Sequence, residues 1–247
     1  MTRRETSIGG IDKAFPDTVW SGVLSASDPD SPERRRRLEQ LVTRYWRPVY
    51  ATLRRSGRHD VEDAKDLTQE FFCRVMSGDF IQRFEPERGR FRHFLKAALK
   101  NFLADAYRSG ARIKRGGGRR ELSLDVEGFE STAGLADERQ ESPDEIFDRQ
   151  WADDVMAQGL LALKEELLAD GKEVYWRAYE RVALEPDPNR RPTYESVAET
   201  LGIRTTDVTN YLNHARARLR AHLVGVIADT VDGRIAAVDE LRDLLAD

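Results

Sequence analysis

Apolar residues recur at intervals of three and four along most of the chain, the spacing that gives a helix one buried face. Pro32 and Gly57 are suitable first and terminating residues for a helix that would span the longest of these runs. That run comprises Leu38, Leu41, Val42, Tyr45, Trp46, Val49, Tyr50 and Leu53. Since shorter runs of the same kind follow after Asp60, after Phe91 and after residue 150, the spacing predicts an all-α protein.

The composition excludes several classes of protein. The 247 residues suffice for one or two domains with a buried core. Cys73 is the only cysteine, so the chain can form neither an internal disulfide nor a zinc site built on cysteines. No apolar run reaches the roughly 18 residues of a membrane span, and no apolar segment follows the N-terminal arginines as in a signal peptide. These features predict a cytoplasmic protein without membrane insertion.

Charge is arranged in two opposite blocks, although the formal net charge of the whole chain is only -4. Between Arg83 and Arg120, twelve basic residues face three acidic ones, a balance of +9. Between Glu121 and Asp154, twelve acidic residues face two basic ones, a balance of -10. Such asymmetry predicts a charged partner more strongly than the average does, although a solvated face beside a solvated linker would look the same.

The helix predicted after Asp60 carries acidic residues on one face. Asp63, Asp66 and Glu70 are three and four residues apart, and like charges at that spacing weaken a helix. Three interpretations remain open: docking to a basic partner surface, ligation of a divalent metal, and plain solvated charge. The four histidines form no spaced pair with these carboxylates, which favours docking over a metal.

The segment after the "EPERG" loop combines cations with aromatic residues. Arg92, Lys96, Lys100 and Arg108 project from a helix that also carries Asn101. Cations that follow phosphates and rings that stack on bases are typical of binding to single-stranded or partly melted nucleic acid. Phe91 and Phe94 could serve that purpose or belong to the core.

The stretch "YESVAETLGIRTTDVTNYLNHARARLR" has the order of a helix-turn-helix motif. Thr193 can cap a first short helix, Gly202 allows a sharp turn, and Thr205 or Thr206 can cap a second helix. Outward positions on the second helix hold side chains that bind phosphates or base edges in duplex DNA. A plain helical hairpin is the alternative.

The "GARIKRGGGRR" stretch and the acidic residues after it sustain no helical spacing, which predicts a flexible linker between two helical domains. The predicted organisation is an N-terminal extension (1–37), a first domain (38–111), an acidic linker (112–149), a second domain (150–223) and an amphipathic tail helix (224–247). The tail could cap the second domain, form an oligomer or regulate the protein.

Together these motifs resemble those of the sigma-70 family of bacterial RNA polymerase sigma factors, of the extracytoplasmic-function type. "DVEDAKDLTQEFFCRV" is similar to the acidic helix with which the family docks on core polymerase. "RFEPERGRFRHFLKAALKNFLADAYRS" resembles the promoter-melting segment of region 2, and the helix-turn-helix stretch resembles region 4. The resemblance implies a region 2 helical bundle and a region 4 helix-turn-helix domain joined by an acidic flexible linker.

The resemblance also implies partners and roles. Core polymerase would be bound through Asp63, Asp66, Leu67, Gln69, Glu70 and Phe71. The melted −10 element would be bound through Arg88, Arg90, Phe91, Arg92, Lys96, Lys100, Asn101 and Arg108. The −35 duplex would be bound through Thr205, Thr206, Thr209, Asn210, Asn213, His214, Arg216 and Arg218. The acidic linker would follow the RNA-exit path. No catalysis, cofactor or metal is expected, and an anti-sigma factor is a further candidate partner although no motif identifies one.

Two other functions fit parts of the sequence. A helix-turn-helix regulator that acts without polymerase would use the same C-terminal motif, but it leaves the acidic face and the cationic segment unexplained. A metal-dependent nuclease would use Asp63, Asp66 and Glu70, but the further ligands that such a site needs are missing from the sequence pattern.

Overall fold

The computed structural model describes residues 32–56, 59–76, 91–108, 124–132, 141–228 and 234–244. Within these ranges every regular element is helical, which confirms the all-α prediction. The terminating residue Gly57, the loop residues Arg88 and Arg90, and most of the N-terminal extension lie outside the described residues. The helices are α1 (Pro32–Ser56), α2 (Val61–Met76), α3 (Phe91–Arg108), α4 (Val126–Thr132), α5 (Pro143–Ala169), α6 (Glu173–Ala183), α7 (Tyr194–Leu201), α8 (Thr205–Ala228) and α9 (Arg234–Leu244), with a 3₁₀ turn at Pro188–Arg190.

Helices α1, α2 and α3 share an apolar core. The whole apolar stripe of α1 predicted from the sequence is buried. Helix α2 begins as predicted, because the Asp63 backbone N–H donates to Asp60 Oδ1 at 2.8 Å and so caps the first turn. Rings join α2 to α3: the centroids of Phe71 of α2 and Phe102 of α3 lie 5.5 Å apart.

Helix α5 packs against α1 with its N-terminal half and against α8 with its C-terminal half. A capping box starts it: Ser142 and Glu145 exchange hydrogen bonds between side chain and backbone N–H, at 3.3 and 2.7 Å. Against α1, Phe147 stacks on Tyr45 with ring centroids 6.4 Å apart. Against α8, the backbones approach closely at Gly159, where an added Cβ would lie 2.5 Å from Leu223 Cδ2.

Helix α4 lies inside the segment that the sequence predicts to be a flexible linker. Its Phe129 is buried, with its ring 5.5 Å from Trp46 and 6.0 Å from Tyr50 of α1. Val126 is the other buried apolar residue of this helix. Two apolar residues three positions apart are too short a pattern to be recognised as a helix in the sequence, because the burial comes from α1.

The predicted pair of helices around Gly202 is present. The Ser196 backbone N–H donates to Thr193 Oγ1 at 3.2 Å, and Gly202 adopts φ 65°, the left-handed conformation that ends α7. The prediction that Thr205 or Thr206 caps the next helix is wrong. Arg204 occupies that position, and its backbone N–H donates to Asp207 Oδ2 at 3.2 Å, so Asp207 accepts as the third helical residue does in one half of a capping box.

The tail predicted as one helix from residue 224 is divided in two. Helix α8 continues without interruption to Ala228, so Ile227 is buried on the same helix as the motif residues. Helix α9 follows as a separate element and packs on α8 through the buried Ala237 and Leu241.

The close approach at Gly159 predicts a difference between two glycine substitutions. In Gly225→Ala the new methyl group meets nothing within 4 Å, so the gain in helix propensity should stabilise the protein by about 1 kcal/mol. In Gly159→Ala the methyl group meets Leu223, and overpacking of about 1–3 kcal/mol opposes the same gain. Urea unfolding of both variants measures the difference, and equal stabilisation would contradict the packing of α5 on α8.

Candidate nucleic-acid interface

The acidic face of α2 lies over the shared core. Asp63 is exposed, Asp66 and Gln69 are half-buried, and Leu67 and Phe71 are buried beneath them. Glu70 forms an ion pair with Arg74 at 2.5 Å, so the negative charge of this face is concentrated at Asp63 and Asp66. The buried pair Leu67 and Phe71 can only position the helix, while the exposed carboxylates can bind a basic surface.

The carboxylates of this face are not arranged as metal ligands. Among the residues that the structure describes, no three or more Asp, Glu, His or Cys side chains are arranged to hold a metal ion. None of the described helices combines the length and the apolar character that a bilayer crossing requires.

The cations of α3 fall into two groups. Lys100, Asn101 and Arg108 are exposed, and Arg108 is paired with Asp105 at 3.2 Å along its own helix. Arg92 and Lys96, one turn apart, have side chains that are only 12% and 16% exposed. Phe91 is buried, and its ring centroid lies 5.6 Å from that of Tyr45. In this structure Phe91 therefore belongs to the core, and it is not exposed for stacking on a base.

Acidic residues from α5 and α9 cover Arg92 and Lys96. Asp148 of α5 lies 2.5 Å from Lys96 Nζ and 3.4 Å from Arg92 Nη1. Glu240 of α9 lies 2.8 Å from Arg92 Nε, without the alignment of a hydrogen bond, and its side chain is only 1% exposed. The Arg92 guanidinium also lies over the Trp151 ring at 4.4 Å. Arg92 is thus enclosed by two carboxylates and a ring.

Three further carboxylates of the acidic block are paired with cations of α1. Glu130 accepts from Arg54 at 3.2 Å and from the Tyr50 hydroxyl at 2.5 Å. Glu141 pairs with Arg55 at 3.0 Å, and Asp154 pairs with Arg47 at 3.4 Å. Burial, opposed by Arg47, raises the pKa of Asp154 to about 6. The charges that the sequence assigns to a tether on the RNA-exit path therefore hold helices together within the chain.

The outward residues of α8 form a stripe on one side of the helix. Thr205, Thr206, Thr209, Asn210, Asn213 and Arg216 are all exposed. His214 departs from this stripe, because it is half-buried and lies edge-on to Tyr175, with ring centroids 5.2 Å apart. Tyr175 stacks in turn on Tyr211 at 3.8 Å.

Arg218 is engaged within the chain. Its guanidinium donates two hydrogen bonds to Glu166 of α5, at 2.6 and 2.8 Å, and His222 lies 2.6 Å from the same carboxylate. The Arg218 hydrogen bond, and secondly His222, lower the pKa of Glu166 to about 2. Of the two arginines predicted to contact the −35 duplex, Arg216 points outward and Arg218 is neutralised.

Residues 41–113 match the family model of sigma-70 region 2, which covers most of α1 and all of α2 and α3. The match shows that this part of the chain is similar to region 2 of sigma-70 factors. Comparison with curated proteins and with solved structures gave no significant match.

Arg92, Lys96, Lys100 and Arg108 form a cationic row along α3. Sequence reasoning missed the residues that cover its first two members: Asp148, Trp151 and Glu240. The adjacent blocks of +9 and -10 indicated that the two could neutralise each other. Composition alone does not tell which acidic residue pairs with which basic residue. Glu240 had no signal at all, since a glutamate beside Val238 and Leu241 in an amphipathic tail is expected to face solvent.

The two arginines of α8 make a matched pair for an experiment on duplex DNA. Removing Arg216 should reduce the slope of log K against log salt by about 0.9, the value of one phosphate contact. Removing Arg218 should change that slope much less, because Glu166 already neutralises it. Fluorescence anisotropy with promoter duplex across a salt series measures both, and equal slope changes in Arg216→Ala and Arg218→Ala would contradict this assignment.

Proposed function

We propose that the chain is a sigma factor of the extracytoplasmic-function type that binds core RNA polymerase, recognises −10 and −35 promoter elements and promotes DNA melting. The observation that carries the proposal is the region 2 match over residues 41–113, because the matched helices hold both the acidic face and the cationic row. An unrelated helical bundle has no reason to combine the two.

Core polymerase would bind the acidic face of α2. Exposed Asp63, together with Asp66, would meet basic side chains of the polymerase, and Gln69 and Glu70 would add polar contacts. Leu67 and Phe71, buried under this face, hold the carboxylates in place. Such complementary charge gives an interface its specificity and its rate of association.

Promoter DNA would bind two surfaces. The cationic row of α3 would take the phosphates of the melted −10 strand, with Lys100, Asn101 and Arg108 already exposed. The stripe on α8, which ends at Arg216, would enter the major groove of the −35 duplex as the second helix of a helix-turn-helix. The chain would then perform no catalysis and would act through the polymerase.

Charge reversal on α2 tests the proposal. Asp63→Arg combined with Asp66→Arg should weaken binding to core polymerase by about tenfold or more and abolish run-off transcription from genomic promoter fragments. Glu173→Arg combined with Glu180→Arg on α6 is the matched control, because both residues are exposed and the change in net charge is the same. Affinity capture of core enzyme and run-off assays give the two readouts.

Two outcomes would contradict the proposal. One is a wild-type chain that forms no stable complex with core enzyme and yields no defined transcript. The other is an α2 double variant that behaves like the α6 control in both assays. Tight binding to a duplex without polymerase, in either case, would instead support a regulator that acts through α8 alone.

A further inference from the structure

The cationic row of α3 is partly closed by residues far from it in the sequence. Arg92 meets Asp148 and Glu240, and Lys96 meets Asp148. Lys100, one turn further along the same row, is exposed. Asp148 and Glu240 thus cover only Arg92 and Lys96 among the described cations of this row.

The covering groups have the chemistry of the ligand that the proposed function assigns to this row. A carboxylate and a phosphate are both anions that bind a guanidinium through two oxygens. Glu240 and Asp148 occupy the positions around Arg92 and Lys96 that phosphate oxygens would need. The anions on α5 and α9 and a DNA strand cannot hold these cations at the same time.

Release of Arg92 is coupled to displacement of α9. Glu240 is almost fully buried, and a buried carboxylate without its counter-charge is strongly unfavourable. If Arg92 turns to a phosphate, its ion pair with Glu240 is lost, and this loss favours a movement of α9 away from α3. Among the α9 side chains whose burial the structure describes, Ala237 and Leu241 are the buried apolar ones, and Val238 is exposed.

We propose that α9 and Asp148 form an autoinhibitory latch that occupies Arg92 and Lys96 in the free chain and is displaced when promoter DNA binds α3. The latch rests on the proposed function for the identity of its competitor, a melted DNA strand. The observation behind it is that carboxylates of the same chain cover two cations, and this observation does not depend on polymerase. The latch keeps the free chain from binding nucleic acid indiscriminately.

The test uses the full chain and a fluorescein-labelled single-stranded oligonucleotide, without polymerase. Glu240→Gln frees Arg92 from α9, and Asp148→Asn frees Lys96. Combining the two should tighten binding by about tenfold at low salt and steepen the salt dependence by about 1.4, because each phosphate contact on a single strand contributes about 0.7. Each single variant should give about half of that change in slope.

The matched control is Asp239→Asn combined with Asp144→Asn. These residues lie on the same two helices, and their loss changes the net charge equally. Among the described residues neither forms an ion pair with α3: Asp144 is exposed, and Asp239 pairs with Arg242 at 2.8 Å within α9. The control should leave the affinity and its salt dependence close to those of the wild type. Thermal unfolding of each variant shows whether it is folded, and Asp148→Asn decides the result if Glu240→Gln does not fold.

Two results would overturn the latch. The first is an equal effect in test and control variants, which would reflect net charge alone. The second is a lower melting temperature in Glu240→Gln and Asp148→Asn with unchanged salt dependence, which would make the contact purely structural. A third result separates the two proposals. If the test variants bind DNA more tightly as expected, but neither they nor the wild type support run-off transcription, the proposed function is rejected and the masking of Arg92 and Lys96 still holds.

Discussion

The structure depends on helix α5, because it is packed on two sides by elements distant in sequence. Its first half covers α1 through Phe147, and its second half packs on α8 at Gly159, against the side chain of Leu223. Helix α5 therefore contacts both the helices of the region 2 match and the α7–α8 pair. The two halves of the chain, which a sigma factor would use on different promoter elements, are joined in the described structure by α5 and by the contact of α9 with Arg92.

Ion pairs then determine which face of the region 2 helices stays open. The acidic block supplies a carboxylate to Arg54, Arg55, Arg47 and Lys96 in turn, and α9 adds Glu240 for Arg92. Asp63 on α2 stays exposed, while Arg92 and Lys96 of α3 are covered. If the proposed function holds, the face for polymerase is open in the free chain and two of the cations for DNA are not.

Local features of this protein could be read from the sequence, and long-range ones could not. The apolar stripe of α1, the Asp60 cap and the left-handed Gly202 follow from spacing and backbone preference over a few residues. Helix α4 was missed because Phe129 gains its burial from Trp46, more than 80 positions away. Most of the exposed positions on α8 could be predicted from the helical period. The hydrogen bond from Arg218 to Glu166 could not, because ion pairs between helices leave no periodic pattern in the sequence. The roles of these residues toward polymerase and DNA stay predictions.

The most direct test of the account is the distance between α3 and α9 in the free chain and in the initiation complex. Spin labels at the exposed Ala104→Cys and at Asp239→Cys, with Cys73→Ser to remove the native thiol, would report it by double electron–electron resonance. The account predicts one short, narrow distance in the free chain and a longer one after core polymerase and promoter DNA are added. A broad distribution in the free chain, or the same short distance in a transcription-competent complex, would contradict it.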